Sequence, residues 1–340
     1  MKNLMSPKER VLAIFNRQET DKAAVINPTS VLNLESMKSL GLSCPGVHLD
    51  ADKMAAVAAV GHEVCGFDSV MPKFSVVHSA AALGATVDWN EGDAMPVIRK
   101  HPITEPDQFK MPANFLDHPA CKVVLEALRL LKKRYGDKIV IIGKVFGPWT
   151  TAYNMCGTQE FLIETALDPA KAAGFLEAFT PPGIIFAEAQ YEAGADMILW
   201  GDHVSGDLCS PKAYQELLLP IHQKINGSLL KKKGPVIHHA CGRIADRMQF
   251  FAESGFEAFH FDSVNNTKVL LEKANNKILL TGGITNSGVL LGGKPEQVRA
   301  QVRQLLDDGI RLLSPECAIP LKTPNENLRM IRTAVDEYFA

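Results

Sequence analysis

Residues 235–263 read PVIHHACGRIADRMQFFAESGFEAFHFDS, and their reading decides the fold. The run 235–239 is short, apolar and not alternating; 243–253 carries a helical pattern; 258–262 is a second short apolar run. Runs of this kind, rich in Ile, Val and Leu, are strands buried on both faces of a parallel sheet. The same unit recurs in both directions along the chain. Comparable apolar runs stand at 24–27, 68–71, 139–143, 196–200, 277–281 and 310–314. Helical patterns separate them at 50–64, 118–135, 169–193, 211–230, 267–274, 295–308 and 324–339, several with Pro near the first turn or an Asp or Ser cap. Eight strands each followed by a helix is the count of an α/β (β/α)8 TIM barrel. A doubly wound parallel sheet is the competitor, but the first βα turn lacks a Gly-x-Gly-x-x-Gly phosphate fingerprint.

Two features decorate the barrel. Ser6-Pro7-Lys8-Glu9 is a capping box with Pro at the first helical position, so a short N-terminal helix precedes the first strand. The interval 73–112 breaks the rhythm with Gly84-Ala85-Thr86-Val87-Asp88-Trp89 and Met95-Pro96-Val97-Ile98, and reads as an inserted hairpin or cover loop. Residues 1–340 are thus expected to form one barrel domain.

Composition excludes several classes of function. The chain has 340 residues, 46% hydrophobic and 22% charged, with a net charge of −2. That balance leaves no electrostatic footprint for nucleic acid or an anionic membrane. The basic run Lys231-Lys232-Lys233 reads as a helix C-terminus favoured by the helix dipole. No apolar stretch approaches the about 18 residues of a membrane span, and Met1–Pro7 lacks the apolar core of a signal peptide. The seven cysteines are scattered without framework spacing, so free thiols in a reducing cytoplasm are expected.

Chemistry in such a barrel is carried at the C-terminal ends of the strands. There stand Lys144, Trp149, Tyr153 and Asn154; Asp202 and His203; His238, His239 and Cys241; Asp262 and Ser263; Gly282-Gly283-Ile284-Thr285; and Glu316 and Cys317. In His239-Ala240-Cys241 an imidazole and a thiolate two residues apart point the same way, and Cys317 ends the eighth strand. One His and two Cys are a soft zinc set that leaves a fourth position open. The competing reading is a buried cysteine beside a core histidine. His238 faces the opposite side from His239 and is expected to be packed. Asp202-His203 is a candidate proton relay or site wall, or Asp202 caps the next loop. The Gly282-Gly283 turn offers backbone N–H groups to a tetrahedral anion, or is a plain turn. Cys44, Cys65, Cys121, Cys156 and Cys209 read as structural.

With these motifs, and the strand text GADMILWGDH, VIHHACG, AFHFDS, LLTGGIT and LLSPECAIP, the chain resembles the uroporphyrinogen decarboxylase family over nearly its whole length. Within that family it is similar to the methylcobamide:coenzyme M methyltransferases of methanogenic archaea, whose His-x-Cys…Cys motif is matched by His239, Cys241 and Cys317. True decarboxylases carry an Arg-Gln-Ala-Gly-Arg-Tyr stretch near the N-terminus; here the first strand runs into Asn27-Pro28-Thr29-Ser30 and the arginines are missing. The resemblance implies one zinc ion, a methylated corrinoid delivered on a partner protein, and transfer of its methyl group to the thiol of coenzyme M in methanogenesis from methanol. Zinc would take the thiol as fourth ligand and expel its proton. Asp262 stands near where the related cobalamin-independent methionine synthases place an acidic zinc ligand; it would ligate before thiol arrives, hydrogen-bond His239, or cap a helix. Gly283, with Lys144 or Arg243, and Tyr153 are the candidates to hold the substrate and its sulfonate. Two rival readings remain: a zinc methyltransferase for another thiol such as homocysteine, and a non-catalytic barrel that binds a corrinoid or tetrapyrrole and needs no zinc.

Overall fold

The structure is a computed structural model and describes residues 4–226 and 233–340. Ten strands occur in it: β1 (Ala24–Val25), β2 (Ser69–Val70), β3 (Thr86–Asp88), β4 (Val97–Lys100), β5 (Val140–Phe146), β6 (Met197–Gly201), β7 (Val236–His239), β8 (Ala258–Phe261), β9 (Leu279–Ile284) and β10 (Leu312–Pro315). Eight of them pair in the order β1-β10-β9-β8-β7-β6-β5-β2, every ladder parallel. With helices around them they form the (β/α)8 TIM barrel. The interval after β2 holds the short helix Val77–Ala82 and then the antiparallel pair β3–β4, the expected hairpin. No helix among the described residues is long and apolar enough to cross a membrane.

The ladder at the seam is shorter than the apolar runs 24–27 and 68–71 suggest, because side chains replace strand bonds there. Val25 donates its N–H to Asp68 Oδ2 at 2.8 Å, Asp68 N–H reaches Val25 O at 2.7 Å, and Asn27 N–H reaches Ser69 Oγ at 3.2 Å. A carboxylate and a hydroxyl thus join the first strand to the second.

Alternation along each strand sorts the core into two layers. Ile141, Val145, Ile198, Trp200, Val236, Phe259 and Leu313 face the helices. Val140, Ile142, Met197, Leu199, Ile237, Ala258 and Leu312 face inward. The N-terminal helix Pro7–Phe15, closed by the Ser6–Glu9 capping box, adds Val11 and Ile14 to this inner layer and so plugs one end of the barrel. Each such buried aliphatic side chain stabilises the fold by about 1.5–3 kcal/mol. Two residues further along the strands the inward positions turn polar: Lys144 after Ile142, His239 after Ile237, His260 after Ala258, Ser314 after Leu312. All four are buried. The functional end of the barrel begins at that change.

Several local expectations are corrected. The helix expected over 243–253 begins only at Met248. Residues before it form a loop whose amides are bound from the next strand end: Gly242 N–H by Asp262 Oδ2 at 3.0 Å and Ile244 N–H by Asn265 Oδ1 at 2.9 Å. The helix over 211–230 is interrupted by a π turn at Tyr214–Leu218 and continues as Leu219–Ile225. Its last residues, with Lys231 and Lys232, lie outside the described residues; Lys233 pairs with Glu192 at 3.2 Å. Gly282 and Gly283 do not form a turn before a helix but lie inside β9, both with positive φ of +116° and +78°. A Cβ on Gly282 would stand 2.3 Å from Phe261 O, and one on Gly283 2.7 Å from the Phe261 ring. The glycines are there because β8 passes too close for side chains.

Candidate metal centre

β7 delivers His239, and the loop that leaves it carries Cys241 two residues on; the end of β10 brings Cys317 across the barrel mouth. His239 Nε2 lies 3.1 Å from Cys241 Sγ and 3.6 Å from Cys317 Sγ, and the two sulfurs are 3.2 Å apart. That separation is far beyond a disulfide bond of about 2.05 Å, and all seven cysteines are free. Two sulfurs on one tetrahedral zinc ion lie roughly 3.8 Å apart, given Zn–S distances of about 2.3 Å. The trio needs to open by only a few tenths of an ångström to close around such an ion. These three are the group of His, Cys and acidic residues among the described residues whose ligand atoms converge tightly enough to hold a metal.

The protonation pattern suits this. His260 Nε2 lies 2.7 Å from Pro315 O, which can only accept, so Nε2 carries the proton. Burial pushes His260 down to about 3, with the His239 charge acting the same way, so the ring is neutral and its Nδ1 is bare. His239 Nδ1 lies 2.8 Å from that nitrogen and 3.1 Å from His260 O, and therefore donates. The remaining nitrogen of His239, Nε2, is left with a free lone pair aimed at the sulfurs. This is the arrangement by which an outer partner sets the tautomer of a metal-binding imidazole. The two thiols share a proton unequally. Cys317 is held well below the usual thiol range by the Cys241 S–H and by His239, while the same hydrogen bond and burial hold Cys241 up. By contrast burial lifts Cys65, Cys121, Cys156 and Cys209 to about 12, which leaves them inert packing groups.

The other expected site residues separate into those that reach this centre and those that do not. Asp202 faces the helices: Oδ1 accepts the Thr150 N–H at 2.8 Å, and Oδ2 meets His222 Nε2 at 3.2 Å, whose Nδ1 meets Tyr214 OH at 3.0 Å. Its oxygens cap the helix Pro148–Cys156 and do not point at the cysteines, because it follows the inward Gly201 by one residue. Asp262 accepts Gly242 N–H and Val264 N–H, each at 3.0 Å, so it fastens the Cys241 loop. Around Gly283 the donors are already engaged: Thr285 N–H by Gln301 Oε1 at 3.1 Å and Asn286 N–H by Glu316 Oε1 at 2.6 Å. No free N–H row is left there for an anion. Tyr153 stacks on His203, its hydroxyl bonded to His203 Nδ1, as a wall beside the centre. Arg243 is exposed on the rim. Lys144 is buried inside the barrel, its ammonium donating to Thr29 O at 2.7 Å. His238 packs outward among Phe251, Phe256 and Phe259, as expected of the residue next to an inward one. Sequence reasoning missed His260 and Lys73. The inward alternation from Ala258 marks His260; Lys73 follows a two-residue strand and carries no periodic signal.

The family model described as Uroporphyrinogen decarboxylase (URO-D) matches residues 6–338. A methylated-thiol–coenzyme M methyltransferase of Methanosarcina mazei is 29% identical over 98% of this chain and 90% of its own length. A methylcobamide:CoM methyltransferase of Methanosarcina barkeri is 28% identical, with 98% of each chain covered. A solved methyltransferase from Methanosarcina mazei superposes with a TM-score of 0.94 at 28% identity, covering 99% of this chain and 100% of that one.

Proposed function

The chain belongs to the uroporphyrinogen decarboxylase family, and on that premise we propose that it is a zinc-dependent methyltransferase, moving a methyl group from a methylated corrinoid to the thiol of coenzyme M. One observation carries the reading: His239, Cys241 and Cys317 converge from separate strand ends with a bare imidazole lone pair between two sulfurs. The relatives named as coenzyme M methyltransferases cover the whole barrel and support it. The missing arginine cluster at Asn27–Ser30 argues against decarboxylation of a polycarboxylate.

Zinc bound by these three residues would supply a fourth position at which a thiol loses its proton and stays nucleophilic. The protein's own groups do the rest. His260 holds the His239 ring in one tautomer, Asp262 pins the Cys241 loop, and the strand ends keep the donors from moving apart. Such fixed placement is what an in-line transfer between sulfur and cobalt requires. Tyr153 and His203 wall one side of the centre. The corrinoid arrives on a partner protein in this reading, with methanol as the upstream methyl source, and a reducing cytoplasm keeps both thiols available.

The test is metal content together with thiol-dependent demethylation of methylcobalamin. Wild-type protein is expected to hold about one zinc per chain, to release a proton when coenzyme M is added, and to demethylate the corrinoid. His239→Ala, Cys241→Ala and Cys317→Ala are expected to stay folded and lose both zinc and turnover. Full zinc retention by two of the three variants would sink the ligand assignment. Demethylation of a methanol-loaded corrinoid protein, compared with a methylamine-loaded one, tests the upstream source.

A further inference from the structure

Two lysines are buried beside the metal centre with no acid to meet them. Lys73, just past β2, is 0% exposed, and Lys144, on β5, is 3% exposed. Lys73 Nζ donates to Ser79 Oγ at 3.2 Å and lies 4.8 Å from the centroid of the Phe146 ring and 5.1 Å from that of Phe186. Lys144 Nζ donates to the Thr29 carbonyl at 2.7 Å and lies 5.8 Å from the same Phe146 ring. An ammonium has three donors. Each of these bonds one neutral oxygen, and among the described residues neither pairs with a carboxylate.

Two buried histidines extend the cluster. His48 and His78 have ring centroids 6.0 Å apart, and His78 Nε2 meets His48 O at 3.0 Å. Both ring nitrogens of His48 and Nδ1 of His78 have no partner. Lys73, Lys144, His48 and His78 repel one another as charges, and the negative groups that act on Lys144 are Cys317 and Cys241 of the metal centre. Desolvation pulls both lysines down to about 7. Other buried cations in the barrel have acids: Arg10 has Asp21 and Asp68, and Arg247 has Asp246. A buried cation without an acid is expensive unless something anionic joins it.

We propose that this basic chamber binds the acidic tail of the thiol substrate, with Lys144 as the nearer and Lys73 as the deeper contact, so that the substrate class is a short thiol ending in a permanently ionised acid. The proposal rests on the reading that the thiol is bound by the metal centre. It moves the sulfonate of coenzyme M from the Gly283 strand, whose neighbouring amides are engaged, to the opposite side of the barrel. It also gives a role to the Asn27–Ser30 turn. Asn27 Oδ1 accepts from Thr29 N at 3.0 Å and Ser30 N at 3.1 Å, which presents the Thr29 carbonyl to Lys144.

The experiment compares coenzyme M with 2-mercaptoethanol, a neutral thiol of equal chain length, on zinc-loaded protein, and ethanesulfonate alone on metal-free protein, all by calorimetry. Wild type is expected to prefer coenzyme M, and Lys144→Met and Lys73→Met to cut that preference by about tenfold or more, equal to about 1.4 kcal/mol, while 2-mercaptoethanol binds as before. Ethanesulfonate is expected to bind metal-free wild type and to lose affinity in both variants. An unchanged preference in both folded variants overturns the proposal. Should the variants not fold, absence of ethanesulfonate binding to metal-free wild type overturns it as well. Failure of the zinc reading looks different: neither thiol would ligate zinc, yet ethanesulfonate would still bind.

Discussion

The two ends of the barrel treat charge in opposite ways. At the plugged end Arg10 bonds Asp21 at 2.8 Å and Asp68 at 3.0 Å, Arg332 joins the same Asp68, and Lys8 bonds Asp196 at 2.7 Å. These groups close on themselves beneath Val11 and Ile14. At the open end Lys73, Lys144, His48 and His78 face no acid, and two cysteines face one histidine. The first arrangement is complete without a ligand and serves the fold. The second is complete only with one, so its cost is tolerated for binding. A buried group with its partners in the chain belongs to stability; one without them points to what is missing.

The largest effect that separates the ends is expected at Asp68. Asp68→Ala leaves Arg10 and Arg332 without their shared acid and removes the acceptor of Val25 N–H. Breaking a buried pair in this way costs about 3–5 kcal/mol, to be read from the urea midpoint. Zinc per folded chain should not change. Loss of zinc without loss of stability would show that the two ends are not independent.

A smaller and opposite effect is expected at His260. His260→Ala removes the acceptor for His239 Nδ1, and outer partners of this kind are worth about 10–100-fold in metal affinity. Chelator competition should show that loss with only a modest fall in melting temperature. Affinity within twofold of wild type would reject the tautomer lock.

The smallest effect is a change of pH dependence at His238. Burial, then the charges of His222 and His239, hold this ring well below its usual range. The unfolded chain takes up a proton there as pH falls through about 6.5, while the folded chain does not. Stability is therefore fully present above that pH and declines below it. His238→Phe, in a cluster already lined by Phe251 and Phe259, should match wild type at pH 8 and lose less stability at pH 5. An acid limb as steep as that of wild type would remove His238 from the account.

How legible the site was depended on how local its determinants are. His239 and Cys241 are two residues apart past one strand, so their convergence follows from strand geometry, and Cys317 from its place at another strand end. His238 could be set aside by the same alternation. Asp202 could not, since its role depends on Thr150 and on His222, which approach from other elements. The glycine pair misled because two glycines before a polar residue read as a turn, and only the closeness of Phe261 explains them.

The sequence by itself determined the barrel, the plug helix and the three convergent donors, because each rests on periodicity, capping or spacing within a short stretch. Which side of the barrel is basic was decided by the tertiary structure alone. Lys73, Lys144, His48 and His78 come from four separate segments, and His260 meets Pro315 only because β8 and β10 flank the same strand. Closure of the sheet sets what faces what across the interior. A partner's absence, such as the missing acid beside Lys144, can be seen only once every neighbour is in place.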